Sequence, residues 1–304
     1  MNTSSDHTPI DFVLPWVDGG DPAWLAEKNR WLPQHQGHSD AVSNNRYQDF
    51  GTLRYVLRSI EQNCPWYHKI YLITANQRPH WLQTNHPKIE IVSHQQLFIR
   101  PQNLPVFNSS AIEMNLVNLK GLSEHFVYLN DDTVILRPTP RERLFQHGLP
   151  VDFLCHGWLK RGALFSRLRG QNSWVDALNN NIRLINRKFQ PASLSKQQLF
   201  ASSYSLREKI SNILLKYFYR HYFWFAHWHL PQPYTRHTLQ ESTSTSPRKF
   251  WPARPTAFVL PTTSLSTSTV TGNWPAVLSS RTNITMGTYA TSAILPTLAM
   301  PSTT

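Results

Sequence analysis

The sequence of 304 residues contains only two cysteines, Cys64 and Cys155. Two cysteines are too few for a disulfide framework or a zinc-ligand set, and they favour a reducing compartment. No run of about eighteen apolar residues occurs, so no segment is predicted to cross a membrane. The polar start of the chain lacks the charged and then apolar pattern of a secretory signal. These absences favour a cytoplasmic protein that is at most peripherally bound to a membrane.

Acidic residues are also scarce, because 18 Asp and Glu face 30 Lys and Arg, which gives a net charge of +12. This imbalance favours anionic partners, namely nucleotides, phosphorylated sugars, anionic polymers or a membrane surface. Nucleic acid is not expected, since the sequence has no zinc-finger spacing, no RNA-recognition aromatic motif and no dense Lys/Arg block. Aromatic residues, by contrast, make up 12% of the chain and include 11 tryptophans, a composition common in proteins that handle sugars.

Short apolar and β-branched runs alternate with helical patterns along the first half of the chain. The runs span residues 10–17, 69–74, 88–93 and 125–129, and each is typical of a buried strand. Strands that alternate with helices indicate βαβ units. The sequence therefore predicts an α/β fold that is Rossmann-like, with a mostly parallel sheet flanked by helices.

Several helices are predicted from capping residues and from apolar periodicity. Asp49 is expected to cap a helix that ends near Asn63. Ser110 and Glu113 have the spacing of a capping box at the start of another helix. Residues 174–189 repeat apolar side chains at helical spacing, which indicates a packed helix. Residues 206–229 are dense in aromatic and basic side chains, and they predict a helix that either caps the sheet or lies on an anionic membrane.

The candidate site begins with Asn130, Asp131 and Asp132, which follow the run at residues 125–129. Open α/β sheets bind ligands beyond the carboxyl ends of their strands. Hard divalent cations take oxygen ligands, so an Asp pair at this position suits a metal–diphosphate site. A solvated turn is the alternative interpretation.

A second loop follows the first predicted strand and contains Asp18, Gly19, Gly20 and Asp21. Glycines at a strand end let the backbone turn tightly and approach a ligand. The flanking carboxylates are candidates to hold a ribose, a base or a metal. An ordinary Asp-Gly turn is the alternative.

Basic side chains complete the set of candidates. Arg54 and Arg58 are four residues apart and share a helix face, where they would clamp a diphosphate or form a solvated basic stripe. His229 precedes a Pro-rich segment, and an imidazole there is either a general base, a phosphate ligand or a structural hydrogen-bonding group.

The composition divides the chain into three parts. Residues 1–9 are predicted to be a disordered N-terminus, and residues 10–240 to form the folded domain. From residue 241 to residue 304, Ser, Thr, Pro and Ala dominate and no periodicity persists, so this tail is predicted to be poorly ordered. We hypothesise that the tail derives from an altered reading frame, which inspection of the coding DNA would test.

Ordered motifs across residues 10–240 are similar to the Stealth family, the bacterial capsular polysaccharide phosphotransferases related to the animal lysosomal-enzyme GlcNAc-1-phosphotransferase. The segment IDFVLPWVDGGDP at residues 10–22 resembles the first signature of the family. Five segments resemble parts of the second signature: RYQD at 46–49, LRYVLRSIE at 53–61, CPW at 64–66, LPVFNSSAIE at 104–113 and YLNDD at 128–132. The sequence HLPQPY at 229–234 resembles the opening of the third. An Arg-containing stretch and a fourth signature expected after it are not found.

The resemblance implies a fold similar to GT-A sugar transferases and a transfer of hexose-1-phosphate from a nucleotide-diphospho-sugar, such as UDP-GlcNAc, to a polysaccharide hydroxyl. It also implies a divalent cation, Mg²⁺ or Mn²⁺, on Asp131 and Asp132. The expected donor-binding residues are Asp18, Gly19, Gly20, Asp21, Arg58 and Ser109. The expected catalytic residues are Asp132, His229, Arg54 and Glu113. The alternatives are an ordinary GT-A glycosyltransferase and an inactive family member that only binds nucleotide.

Overall fold

The structure, a computed structural model, describes most of residues 8–245. The described residues are 8–32, 47–83, 85–151, 168, 182–183, 185–187, 189–200, 204–223 and 230–245. The predictions made for His229, for the first seven residues, for most of the helix at residues 174–189 and for the tail beyond residue 245 fall outside these ranges.

Five strands form the main sheet in the order β3-β2-β1-β4-β7. Their bounds are β1 Ile10–Trp16, β2 Ile70–Thr74, β3 Ile89–Ser93, β4 His125–Tyr128 and β7 Gln232–Thr235. The first four strands run parallel, whereas β7 pairs antiparallel with β4. A separate hairpin pairs β5 Phe145–Gln146 with β6 Leu149–Pro150. The predicted α/β fold with a mostly parallel sheet is confirmed.

Seven α-helices have both of their ends within the described residues. They are α1 Pro22–Trp31, α2 Leu53–Asn63, α3 His94–Leu97, α4 Ser109–Asn115, α5 Lys196–Leu199, α6 Leu206–Leu214 and α7 Arg236–Thr245. Shorter 3₁₀ turns span Pro101–Asn103, Leu116–Asn118, Arg141–Arg143 and Pro191–Ser193, and a π-helical turn spans Leu215–Tyr219.

Two apolar layers cover the sheet, one on each of its faces. Strand β1 is buried on both faces because its side chains alternate in direction. Phe12 packs in the layer that contains Val56 and Ile60 of α2. Val13 points the other way, into the layer that contains Ile112 of α4. The helices therefore fix the sheet from both sides and leave the carboxyl ends of its strands free for a site.

The helix at residues 53–63 begins later than predicted, so the prediction that Asp49 caps it is wrong. Thr52 occupies the N-cap position without a side-chain hydrogen bond. The Asp49 carboxylate instead accepts a hydrogen bond from the Gly51 backbone N–H at 2.8 Å. Gly51 has a φ of +70°, which fits the tight turn between the two segments.

The capping box predicted for α4 is also wrong. The helix begins at Ser109, and the side chain of Asn108 caps it by accepting from the Ser110 backbone N–H at 3.0 Å. Glu113 is buried, with 4% of its surface exposed, and its carboxyl lies near Tyr234 rather than at the helix start. The side chain of Glu113 is therefore available for a role in the interior.

The helical, aromatic and basic C-terminal part is present as α6 and the π-helical turn that follows it. Ser205 and Glu208 form a capping box at its start. One side is buried through Asn212 and Leu215, while Leu206 and Ile210 are exposed. Among the helices that the structure describes, none is long and apolar enough to cross a bilayer.

Candidate functional site

Three segments meet at the carboxyl edge of the sheet. In the parallel register Val13 lies beside both Tyr71 and Tyr128, so the loops that follow β1, β2 and β4 emerge together. The loop after β2 is joined to the loop after β1 by two hydrogen bonds. Gln77 Oε1 accepts from the Asp18 backbone N–H at 3.0 Å, and Gln77 Nε2 donates to the Asp18 carbonyl at 2.8 Å. Gln77 therefore fixes the backbone at the start of the predicted nucleotide-binding loop.

The four residues of that loop have different roles in the structure. Asp18 Oδ1 accepts from the Gly20 backbone N–H at 2.9 Å, which closes the turn. Asp21 is the N-cap of α1, where its carboxylate accepts from the backbone N–H groups of Ala23 and Trp24 at 2.8 and 3.1 Å. These helix-cap hydrogen bonds, led by the one from Trp24, lower the pKa of Asp21. The Asp21 carboxylate thus already has a structural function as a cap.

Gly19 connects the loop after β1 to the segment that contains Tyr47 and Asp49. Its backbone N–H donates to the Tyr47 carbonyl at 2.8 Å. Tyr47 is itself anchored, because its ring centroid lies 5.1 Å from that of Trp24 and its hydroxyl donates to the Phe107 carbonyl at 3.1 Å. A side chain at position 19 would overlap Tyr47. The glycine is therefore required by the close approach of two backbones.

The carboxylates of Asp131 and Asp132 lie in the turn after β4. The Thr133 backbone N–H donates to the Asn130 carbonyl at 3.2 Å, and Thr133 Oγ1 donates to Asp132 Oδ1 at 3.3 Å. Burial, followed by the charge of Asp132, raises the pKa of Asp131 to about 6. Asp132 is exposed, whereas Asp131 is half-buried. The two adjacent carboxylates form an electrostatically negative position at the edge of the sheet.

Asp49 is a third carboxylate at this position, and sequence reasoning missed it. Its charge also raises the pKa of Asp131, which places it in the electrostatic environment of the turn. The RYQD motif was the only indication in the sequence, but Asp49 precedes a helix and resembles a cap there. The hydrogen bond between Gly19 and Tyr47 joins this segment to the loop after β1 at the sheet edge.

The arrangement of carboxylates fits a hard divalent cation. Mg²⁺ is usually held by one or two carboxylates together with water and substrate phosphates, and Asp131 and Asp132 supply that number. A bound cation would offset the effects that raise the pKa of Asp131, which are burial first and then the charges of Asp132 and Asp49. No group of three or more His, Cys, Asp or Glu side chains placed to bind a metal occurs within the described ranges.

Glu113 lies beneath the site rather than in it. Burial raises its pKa to about 7. The buried hydroxyl of Tyr128 has a pKa raised by burial and then by the charges of Glu113 and Asp131, so both acids contribute to its electrostatic environment. The Tyr234 hydroxyl lies 3.1 Å from Glu113 Oε1 and 2.6 Å from Gln232 Oε1. A phenol has one proton to donate, so a protonated Glu113 is suited to supply the second one.

Ser109 lies near the rim of the site. It is the first residue of α4 and is exposed. Two residues earlier, Phe107 packs edge-on against Trp24 at a centroid distance of 5.5 Å and accepts from Tyr47. The start of α4 is therefore attached to the same aromatic cluster that supports the Gly19 loop.

Arg54 and Arg58 are not brought to the aspartates. They share one flank of α2, where the Arg54 guanidinium stacks 5.2 Å from the ring centroid of Trp81. The opposite flank of α2 faces the chain after the aspartates, because Ser59 Oγ accepts from the Ile135 backbone N–H at 3.0 Å. Of the predicted residues, the structure therefore gathers Asp18 to Asp21, Asp131 and Asp132, but not these arginines.

Two family models match the chain. Residues 8–36 match Stealth protein CR1, conserved region 1, and residues 46–151 match Stealth protein CR2, conserved region 2. The matched regions contain the Gly19 loop, Asp49 and both aspartates after β4. They therefore include all three segments that meet at the sheet edge.

Curated relatives agree with these matches. A capsular polysaccharide phosphotransferase of Streptococcus thermophilus is 44% identical over 160 residues, which cover 52% of this chain and 67% of the relative. A capsular polysaccharide phosphotransferase of Streptococcus pneumoniae is 37% identical over 188 residues, which cover 62% of this chain and 53% of the relative. An exopolysaccharide phosphotransferase of Streptomyces coelicolor is 40% identical over 204 residues, which cover 66% of this chain but only 33% of that relative. The chain thus belongs to the Stealth family, as the ordered motifs in its sequence predicted.

Proposed function

We propose that this chain transfers hexose-1-phosphate from a nucleotide-diphospho-sugar to a hydroxyl of a growing capsular or cell-surface polysaccharide. The observation that carries the proposal is the carboxylate pair Asp131 and Asp132, which lies at the sheet edge beside the Gly19 loop within a Stealth-family chain. The names of the relatives, exopolysaccharide and capsular polysaccharide phosphotransferase, support the same reaction class.

The bonding changes define the reaction. The acceptor oxygen forms a bond to the β-phosphorus of the donor, the bond between that phosphorus and the bridging oxygen breaks, and a nucleoside monophosphate leaves. Asp131 and Asp132 would hold a divalent cation, Mg²⁺ or Mn²⁺. When bound, the cation neutralises charge on the diphosphate, which together with positioning provides most of the catalysis in phosphoryl transfer.

The chain's own residues would bind and orient the donor. The loop Asp18 to Gly20, held in place by Gln77, is proposed to line the nucleotide site, and Ser109 its rim. The acceptor hydroxyl must lose a proton, and His229 is proposed to accept it. This histidine lies outside the described residues. Glu113 is proposed to act indirectly, because its side chain is buried and hydrogen bonds with the Tyr234 hydroxyl.

The test is the identity of the nucleotide that is released. The protein is incubated with UDP-GlcNAc and related donors, a polysaccharide acceptor and Mg²⁺ or Mn²⁺, beside an Asp132→Ala variant. We expect UMP or another monophosphate, released only with acceptor, metal and Asp132. Release of UDP would instead identify a GT-A glycosyltransferase that attacks the anomeric carbon. Nucleotide binding without turnover would identify a family member that only binds nucleotide.

We also propose that helix α6 and the turn after it contact the surface of an anionic membrane. Leu206 and Phe218 are each 74% exposed, and Arg207 and Arg220 are exposed near them. Apolar side chains beside cations are typical of helices that lie at an anionic interface. In a flotation assay the protein should rise with anionic vesicles and not with neutral ones, and Phe218→Glu should reduce its recovery. A protein that stays with the soluble fraction in both cases would refute membrane contact.

A further inference from the structure

A pocket of about 430 Å³ lies beside α2, on the flank that carries Arg54 and Arg58. Its walls include Trp81 and His86, and its floor includes Ile70 and Ile89, the first residues of β2 and β3. The volume is within the range of small-molecule binding sites. The pocket therefore combines two cations, an indole and an imidazole in one concave surface.

This pocket is separate from the carboxylate site. Ile70 begins β2, and Asp131 follows the end of β4, which is two strands away across β1. With standard strand dimensions, Ile70 and Asp131 are about 13 Å apart along the strands and about 10 Å apart across them. Ser59 and Asn63 occupy the flank of α2 that hydrogen bonds to Ile135. Helix geometry therefore directs Arg54 and Arg58 away from the aspartates.

The pocket is positively charged and has an aromatic wall. Arg54 stacks on Trp81, and Arg58 lies one turn further along the same helix face. Glu61 is the single carboxylate of the lining. Within the part of the chain that the structure describes, no carboxylate lies within salt-bridge distance of either guanidinium. Both arginines are exposed, so they are accessible to an anion.

These features define the class of ligand. Guanidinium groups bind phosphate oxygens through paired hydrogen bonds, and arginine is preferred where a phosphate is recognised. An indole provides a flat apolar surface with a hydrogen-bonding edge, which suits the apolar face of a sugar ring. A ligand with alternating sugars and phosphates would contact both parts of the pocket.

We propose that this pocket binds a phosphodiester-linked stretch of the growing polysaccharide, at a distance from the reacting end. The inference rests on the proposed function, because transfer of hexose-1-phosphate to a hydroxyl leaves one phosphodiester, and one negative charge, for each unit added. A polymer held both here and at the carboxylate site is bound at two points. Two-point binding raises the effective concentration of the reacting end and favours long acceptors.

The test measures how tightly the protein binds the polymer and how well the polymer serves as an acceptor. An Arg54→Gln, Arg58→Gln double variant is compared with Arg100→Gln, which changes an exposed arginine outside the pocket. The probes are a purified capsular polysaccharide with hexose-1-phosphate linkages and neutral dextran of the same length. Binding is measured by affinity electrophoresis without donor, at low and at high salt.

We expect the wild type to retain the phosphodiester polymer and not dextran, and the double variant to bind it about tenfold more weakly. Arg100→Gln should match the wild type, and an Arg54→Lys, Arg58→Lys variant should recover part of the affinity because the charge is kept. In turnover assays the KM for a long acceptor should rise in the Gln double variant, while kcat and the KM for a single-sugar acceptor stay unchanged.

Three results separate failure of the pocket from failure of the proposed reaction. An active enzyme whose polymer affinity is equal in the wild type and the Gln double variant would overturn the pocket. Equal loss of affinity in Arg100→Gln would overturn it too, because general surface charge would then explain binding. If the wild type transfers no sugar phosphate but the double variant still loses polymer affinity, the pocket stands as an anionic-glycan site and the proposed reaction fails.

Discussion

Replacement of Asp131 by Asn should abolish sugar-phosphate transfer and yet raise the stability of the protein without added metal at neutral pH. The loss of activity follows from the removal of a carboxylate proposed to hold the cation, and we expect it to be about 10²-fold or more. The gain in stability follows from the raised pKa of Asp131, about 6 in the folded protein. At neutral pH the folded chain carries this charge at a cost that Asn does not have.

The pH dependence of this gain has a definite sign. The folded state binds the Asp131 proton more tightly than the unfolded chain, whose value is near 3.8. Protonation therefore stabilises the wild type below pH 4, and this contribution is lost as the pH rises through about 6. A shift of this size corresponds to about 3 kcal/mol at most, and to less where water screens the half-buried group. The advantage of the Asn variant should grow from pH 4 to pH 6 and then level off.

Urea unfolding at pH 4.5 and pH 7.5, with and without Mn²⁺, measures the gain in stability and its dependence on pH and metal. Mn²⁺ should stabilise the wild type at pH 7.5 and leave Asp131→Asn unchanged, because ligand binding to the folded state alone adds stability. Glu142→Gln, an exposed carboxylate change in another segment, is the control and should behave as the wild type. An Asp131→Asn variant that is less stable than the wild type at pH 7.5, or that still responds to Mn²⁺, would contradict the assignment.

The sheet could be predicted from the sequence because its strands are buried on both faces. Runs such as residues 10–16 and 70–74 are almost wholly apolar, and parallel strands covered by helices have this composition. Strand β7 was missed, since Pro233 within it resembles a turn. Proline is tolerated there because β7 is an edge strand among the described residues, where it pairs with β4 on one side.

The candidate site was only partly predictable, because local spacing does not determine which groups meet in space. Asp131 and Asp132 were found from their position after a strand. Asp49 was interpreted as a cap, although its segment is joined to the loop after β1 by a hydrogen bond between Gly19 and Tyr47, which are 28 positions apart in the sequence. Arg54 and Arg58 were correctly placed on one helix face. The direction of that face is set by the packing of α2 on the sheet, which spacing alone does not give.

Replacement of Gly19 by Ala should destabilise the protein and disassemble the site. An added Cβ would lie 2.2 Å from the Tyr47 carbonyl oxygen and 2.8 Å from the carbonyl carbon, both of them backbone atoms. The two segments must then separate, which breaks the hydrogen bond from the Gly19 N–H to that carbonyl. Overpacking of this kind costs about 1–3 kcal/mol.

The turnover rate should fall by more than the loss of folded protein explains, because Tyr47 determines the position of Asp49. A displacement of about 1 Å in a positioned group is enough to reduce turnover by about 10²-fold. Gly20→Ala provides the matched control, since its added Cβ would meet only the end of the Asp18 side chain, at 3.1 Å. Unfolding free energies of both variants, measured beside nucleotide release, separate the two effects. If Gly19→Ala unfolds like Gly20→Ala and keeps wild-type turnover, the contact with Tyr47 does not organise the site.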